Sequence, residues 1–266
     1  MRIVNLATKP FDRLRYLNAG RRGKTVSSTL EIVKGEVLGL PKALDALIAT
    51  SDLQGVVPSW RRDGANVLLG EHLPDHLVGL AEEGALPYPE RTGVVLAGDL
   101  FSAPAANVRG ASGDVRGVWN AFAEQYRWVV GVAGNHDRFG TDRERARLQS
   151  RVHLLDDDVV QLDGVLFGGV GEVMGDPAKP GRRAESDLLA GVDLVVEQNP
   201  DVVVLHQGPP GNRQQRGSDL VKAALQPTGA LVVCGHVHWD EALFSVDGGP
   251  QVLNVDARVV VLTRAS

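Results

Sequence analysis

Five short apolar runs, LDALIATS, TGVVLAGD, RWVVGVAGN, DVVVLHQG and GALVVCGH, recur between residues 44 and 236 of this 266-residue chain. Each is rich in small or β-branched residues and apolar on both faces, the pattern of strands buried between layers. Amphipathic stretches at 71–83, 114–126, 141–150, 183–198 and 217–225 alternate with them. Such alternation predicts strand–helix units around a largely parallel sheet. The C-terminal third differs. Segments 159–168, 241–246, 251–255 and 258–263 read as strands without intervening helices, with turns at Asp163-Gly164 and Asp247-Gly248-Gly249. This part is expected to be antiparallel. Both halves fit one α/β (α+β) domain over residues 44–266, built of two stacked mixed sheets flanked by helices.

Residues 1–43 are expected to stand apart as an accessory N-terminal segment. The stretch KTVSSTLEIVKGEVLGLP alternates like a strand, but the preceding TKPFDRLRYLNAGRRGK is basic and aperiodic. A hairpin capping the domain, a solvated loop and a basic patch for a partner are all open. The small, glycine-rich stretch Ser102–Gly117 reads as a flexible loop.

Composition excludes several classes. An apolar share of 43% and a charged share of 23% are those of a globular protein able to bury a core. The net charge of −5 argues against a general nucleic-acid binder. One cysteine, Cys234, excludes an intrachain disulfide framework and a cysteine-rich zinc site. Neither a signal peptide nor a membrane span is read from the chain, so cytoplasm is the expected compartment.

Every valine-rich run ends in potential ligands: Asp52-Leu-Gln54, Gly98-Asp99, Gly134-Asn135-His136-Asp137, His206, and Gly235-His236-Val-His238. In open α/β sheets the crevice beyond the carboxyl ends of the strands binds ligands. Taken singly, the residues have ordinary readings. Asp52 and Gln54 could form a polar turn, Asp99 a helix N-cap, Asn135 a turn residue and His206 a satisfied buried histidine. His236 and His238 share one face of an extended segment, as metal ligands or by coincidence. Jointly, five such strand ends favour a site.

GDLF, GNHD, the lone His206 and GHVH, in this order and spacing, resemble the calcineurin-like metallophosphoesterases over roughly residues 44–262. The family usually opens with Asp-x-His at the end of its first strand. Gln54 departs from that pattern, and manganese-dependent ADP-ribose and CDP-alcohol pyrophosphatases of the same superfamily resemble this chain in using Asp-x-Gln.

The resemblance implies a four-layer sandwich and a centre of two divalent ions. Asp99 would bridge them, with Asp52, Gln54 and His238 on one ion and Asn135, His206 and His236 on the other. Such a pair generates hydroxide and clamps phosphate oxygens. The amide oxygen of Gln54 favours manganese, with iron, zinc or magnesium as alternatives. His136 would be the general acid, with Asp137 orienting its ring. Arg138 and Asn135 are candidate substrate contacts.

The implied activity is hydrolysis of phosphodiester or pyrophosphate bonds in small nucleotide-type substrates. Phosphomonoesterase or protein phosphatase activity, and a metal-stabilised binding scaffold without turnover, are the alternatives. Neither a nucleic-acid duplex nor a membrane is an expected partner. Arg109, Arg116, Arg182, Arg183, Arg213 and Arg216 are candidates for the walls, with Phe101 and Trp239 as stacking surfaces or core residues.

Overall fold

A computed structural model describes the whole chain except residues 59–63, 142–143, 145–147, 213 and 266. The larger of two stacked sheets runs, in spatial order, Val152–Leu155, Trp128–Val132, Thr92–Leu96, Ala46–Thr50, Arg258–Arg264, Thr25–Leu38, Asp12–Ala19, Gly55–Pro58 and Asn66–Leu68. Arg2–Leu6 pairs off this path with Thr25–Leu38. The smaller sheet runs Asp158–Leu162, Val165–Val170, Val202–Gln207, Leu231–Gly235, Gln251–Asn254 and Leu243–Ser245. Among the described residues, four helices flank them: α1 (Leu69–Glu82), α2 (Arg116–Gln125), α3 (Glu185–Glu197) and α4 (Asp219–Leu225). Half of the expected helical stretch at 141–150 falls outside the described residues.

The period of two in each strand builds the layers. Leu47 and Ala49, Val130 and Val132, Val202 and Val204, and Leu231 and Val233 alternate into one core between the sheets. Their neighbours Ile48 and Val129 face a second core with Leu69, Leu73 and Leu77 of α1 and Trp119 and Phe122 of α2. On the far side, Val203, Leu205 and Val232 pack against Leu188, Val192 and Val195 of α3. The result is a helix–sheet–sheet–helix sandwich.

The first 43 residues are built into the larger sheet. Thr25–Leu38 lies between Asp12–Ala19 and Arg258–Arg264, antiparallel to the former and parallel to the latter. The stretch read as aperiodic forms a strand because Leu14 and Tyr16 are buried while Arg13 and Arg15 are exposed. The C-terminal part is also less uniform than expected. Asp158–Leu162 and Val165–Val170 do form an antiparallel hairpin, whose turn residues Asp163 and Gly164 have φ of +50° and +90°. Gln251–Asn254, however, pairs parallel to Leu231–Gly235, and Arg258–Arg264 crosses back into the larger sheet.

Candidate metal centre

Three of the five valine-rich strands are neighbours in the larger sheet and two in the smaller, and the loops after them converge. The fit is close. Gly98 has φ +89°, and a Cβ there would lie 2.5 Å from the Gly134 backbone nitrogen. One on Gly134 would lie 2.1 Å from Asp99 Oδ1. Only glycines allow these two loops to meet.

Asp99 is the hub. Its Oδ1 accepts the His136 backbone N–H at 2.9 Å, and its Oδ2 accepts the Gln54 amide at 3.0 Å. His206 Nε2 lies 3.4 Å from the same Oδ2 and 3.2 Å from Asn135 Oδ1. The His206 ring is fixed from behind by Nδ1, which lies 2.7 Å from the Ala97 carbonyl. The rings of His206 and His236 stand 5.1 Å apart, edge to face. Asp99, His206 and His236 each offer a ligand atom within 4.8 Å of the others, a possible metal site.

Asp52 and His236 do not sit in extended segments. Asp52, Asp99 and His236 have φ of +53°, +57° and +69°, a left-handed conformation that costs about 1–3 kcal/mol each for residues other than glycine. Hydrogen bonds hold it. Asp52 Oδ2 accepts from Ser51 Oγ at 2.7 Å and from the His236 backbone N–H at 2.9 Å, joining the first and last ligand loops. Because His236 turns left-handed, His238 leaves that cluster. It is exposed, and its Nδ1 stands 3.0 Å from Asp256 Oδ1.

The electrostatics ask for a cation. Burial, then the charge of Asp256, pushes the Asp52 carboxyl well above the ordinary range. Burial also acts to raise Asp99, but the adjacent His206 outweighs it and holds the carboxyl down at about 2. His206 in turn is raised to about 10 despite its burial, chiefly by Asp99. His236 is lowered to about 4 by burial and by His206, which favours the neutral ring with one nitrogen lone pair to offer a metal. The upward shift of His206 beside Asp99 shows that these donors favour a positive charge among them. The donor set suits a divalent ion.

Asp137 does not orient the His136 ring. Its buried carboxylate accepts three backbone N–H groups, from Leu100 at 2.8 Å and from Asp99 and Gly134 at 2.9 Å each. It ties the second and third loops together, although burial, then Asp99, raises it to about 6. The partner at His136 Nδ1 is Ser112 Oγ, 3.0 Å away. Arg138 turns its guanidinium to the Asp137 carbonyl at 2.6 Å. Trp239 is a core residue, 1% exposed, its indole N–H donated to the Arg216 carbonyl. Arg116 pairs with Asp114 and Glu144, and Arg183 with Asp157 and Glu172. Arg213 lies outside the described residues.

A cavity of about 540 Å³ opens over the centre. Asp52, Gln54, Asp99, His136 and His236 line it, as do Phe101 and Arg109. So do residues the sequence reading passed over: Tyr16, Asn18 and Ala19 of the N-terminal hairpin, and Asp256 with Ala257. Asp256 had a visible signal. It follows the strand Gln251–Asn254, which runs parallel beside Leu231–Gly235 and ends level with Cys234.

A family model described as calcineurin-like phosphoesterase matches residues 47–240. The chain belongs to this family. It is accordingly a metal-dependent phosphoesterase with a metallophosphoesterase α/β sandwich. No curated protein matches the chain. Among solved structures, it is similar to a protein of unknown function, AQ665 from Aquifex aeolicus. That likeness has 13% identity over 81% of this chain and 95% of the other, with a TM-score of 0.36, and carries no argument. No helix among the described residues is long and apolar enough to cross a membrane.

Proposed function

We propose that this phosphoesterase hydrolyses phosphodiester or pyrophosphate bonds in small nucleotide-type substrates. The observation that carries the reading is Asp99, almost sealed from solvent, holding Gln54, the His136 backbone and His206 on one carboxylate at the wall of a nucleotide-sized cavity. Asp52, Gln54 and Asp99 would hold one divalent ion, with the exposed His238 as its outermost donor, and Asn135, His206, His236 and Asp99 the other. Manganese suits the amide oxygen of Gln54, once that amide turns over to present it. Such ions supply Lewis-acid polarisation of the phosphate and an activated water.

The remaining work falls to the chain. Asp137 and the two glycines hold the loops so that Asp99 and His136 keep their spacing. His136 lines the cavity, and as the acid its ring carries both protons, Nδ1–H donating to Ser112 Oγ 3.0 Å away and Nε2–H left for the substrate. From Nε2 the proton passes to the leaving alkoxide. Specificity comes from the walls, since the centre itself accepts many esters. A 540 Å³ cavity falls in the range of small-molecule sites. The test is kcat/KM for cyclic nucleotides, nucleoside diphosphate esters, phosphopeptides and duplex DNA under one metal condition. Small nucleotides are expected to lead. A phosphopeptide or duplex ahead by tenfold, about 1.4 kcal/mol, overturns the assignment.

A further inference from the structure

The basic N-terminal stretch has a place beside the site. Asp12–Ala19 and Thr25–Leu38 form a hairpin whose turn carries Arg21, Arg22 and Lys24, all exposed. The turn rests against the loop after Phe101. Thr25 Oγ1 donates to the Ala105 carbonyl at 2.8 Å, and a Cβ on Gly23 would lie 3.9 Å from the Asn107 carbonyl oxygen. Two residues further, Arg109 lines the cavity, together with Tyr16, Asn18 and Ala19 of the hairpin's own strand.

These four cations are uncompensated. Among the described residues, none of Arg21, Arg22, Lys24 and Arg109 has an ion-pair partner, whereas Arg13, Arg91, Arg116, Arg127 and Arg183 all do. In a chain of net charge −5, one unpaired cation thus lines the cavity and three more lie on the turn docked against the loop that carries it. Unpaired charge beside a low-dielectric cleft concentrates oppositely charged ligands. The Thr25–Ala105 bond holds the turn to the loop that carries Arg109.

We propose that the hairpin turn and Arg109 form a subsite for a phosphate of the substrate other than the one cleaved. The substrate class is then nucleoside diphosphates and their pyrophosphate-bridged esters, in preference to monoanionic cyclic nucleotides. This rests on the phosphoester-hydrolase reading of the adjacent centre.

Binding separates the two ideas. Calorimetric titration in manganese buffer compares α,β-methylene-ADP with AMP on the wild-type protein and on the triple variant Arg21→Gln, Arg22→Gln, Lys24→Gln. The substitutions lie on exposed residues, so the fold is expected to persist. The variant is expected to lose roughly tenfold in affinity for the diphosphate analogue and under about twofold for AMP, as loss of several partly exposed ion pairs would give. Arg109→Gln alone is expected to act in the same direction. Equal losses on both ligands, no loss on either, or no measurable binding of the analogue to the wild type overturns the subsite. Failure of the wild type to hydrolyse bis(p-nitrophenyl) phosphate instead sinks the activity reading, whichever way the titrations fall.

Discussion

His238 Nδ1 and Asp256 Oδ1 stand 3.0 Å apart, joining the loop after one strand of the smaller sheet to the crossover that returns the chain to the larger one. Asp256 is 9% exposed, and its partner ring is largely in solvent. The hydrogen bond to Asp256 raises the imidazole of His238 above its ordinary value, against an opposing effect of burial. It also leaves Nε2 as the atom free to bind a metal. Orienting partners of this kind are worth about 10–100-fold in metal affinity. Asp256→Asn is therefore expected to weaken manganese binding by that factor while leaving the melting curve of the metal-free protein nearly unchanged. Manganese titration followed by electron paramagnetic resonance checks it. An unchanged affinity would remove Asp256 from the support of the site.

The placement of His136 and Asp137 separates two effects that look alike from sequence. A general acid matters most when the leaving group is basic, and contributes about 10²–10⁴-fold. His136→Asn is expected to slow alkyl phosphodiesters by that range and to spare p-nitrophenyl esters. Ser112→Ala is expected to give a weaker loss of the same selectivity. Asp137→Asn should behave differently. Its amide NH2 would face a backbone N–H that now donates to a carboxylate oxygen, leaving a buried donor unpaired at about 1–3 kcal/mol. Its signature is a lowered melting temperature and equal losses on both ester classes. Selectivity for alkyl esters in Asp137→Asn would restore the carboxylate to the acid's side.

Gln54 tests the metal preference. Replacing the amide by imidazole offers a softer donor, so Gln54→His is expected to retain hydrolysis and shift the order of effective metals from manganese toward zinc or iron. Gln54→Ala removes a ligand and a hydrogen bond to Asp99, and is expected to weaken metal binding. Identical titrations for all three proteins would exclude Gln54 from the metal shell.

Much of this architecture is local and therefore visible in the chain. The valine runs alternate between two cores, and the Asp163-Gly164 pair marks its hairpin because both residues adopt positive φ. What escapes is long-range. The strand Asp12–Ala19 has the right alternation, but its charged outer face masks it, and its neighbours are supplied by pairing with Thr25–Leu38 and Gly55–Pro58. The role of Asp137 depends on backbone N–H groups of Asp99, Leu100 and Gly134, which converge only when the loops pack. Likewise, nothing in GHVH announces that His236 turns left-handed and sends His238 to Asp256.

Asp163 links stability to pH away from the metal centre. Its carboxylate accepts Arg127 Nε at 2.5 Å and Trp128 Nε1 at 2.7 Å, so a turn of the smaller sheet is clipped to a strand of the larger one. The Arg127 hydrogen bond is the main cause that holds its carboxyl below the ordinary range, against a smaller opposing effect of burial. A carboxyl lowered by folding stabilises the native state above its unfolded value, near 3.9. That contribution fades as pH falls through the lower folded value. Asp163→Asn keeps the left-handed turn and an acceptor for Trp128 but removes the charge. The pair is partly exposed, so the variant is expected to lose up to about 1 kcal/mol at pH 7. The gap should hold steady down to about pH 5 and close below about pH 4, where the wild type protonates. Urea unfolding of both proteins at a series of pH values measures it. A difference that stays constant down to pH 2 would show that the side chain acts through shape, not charge.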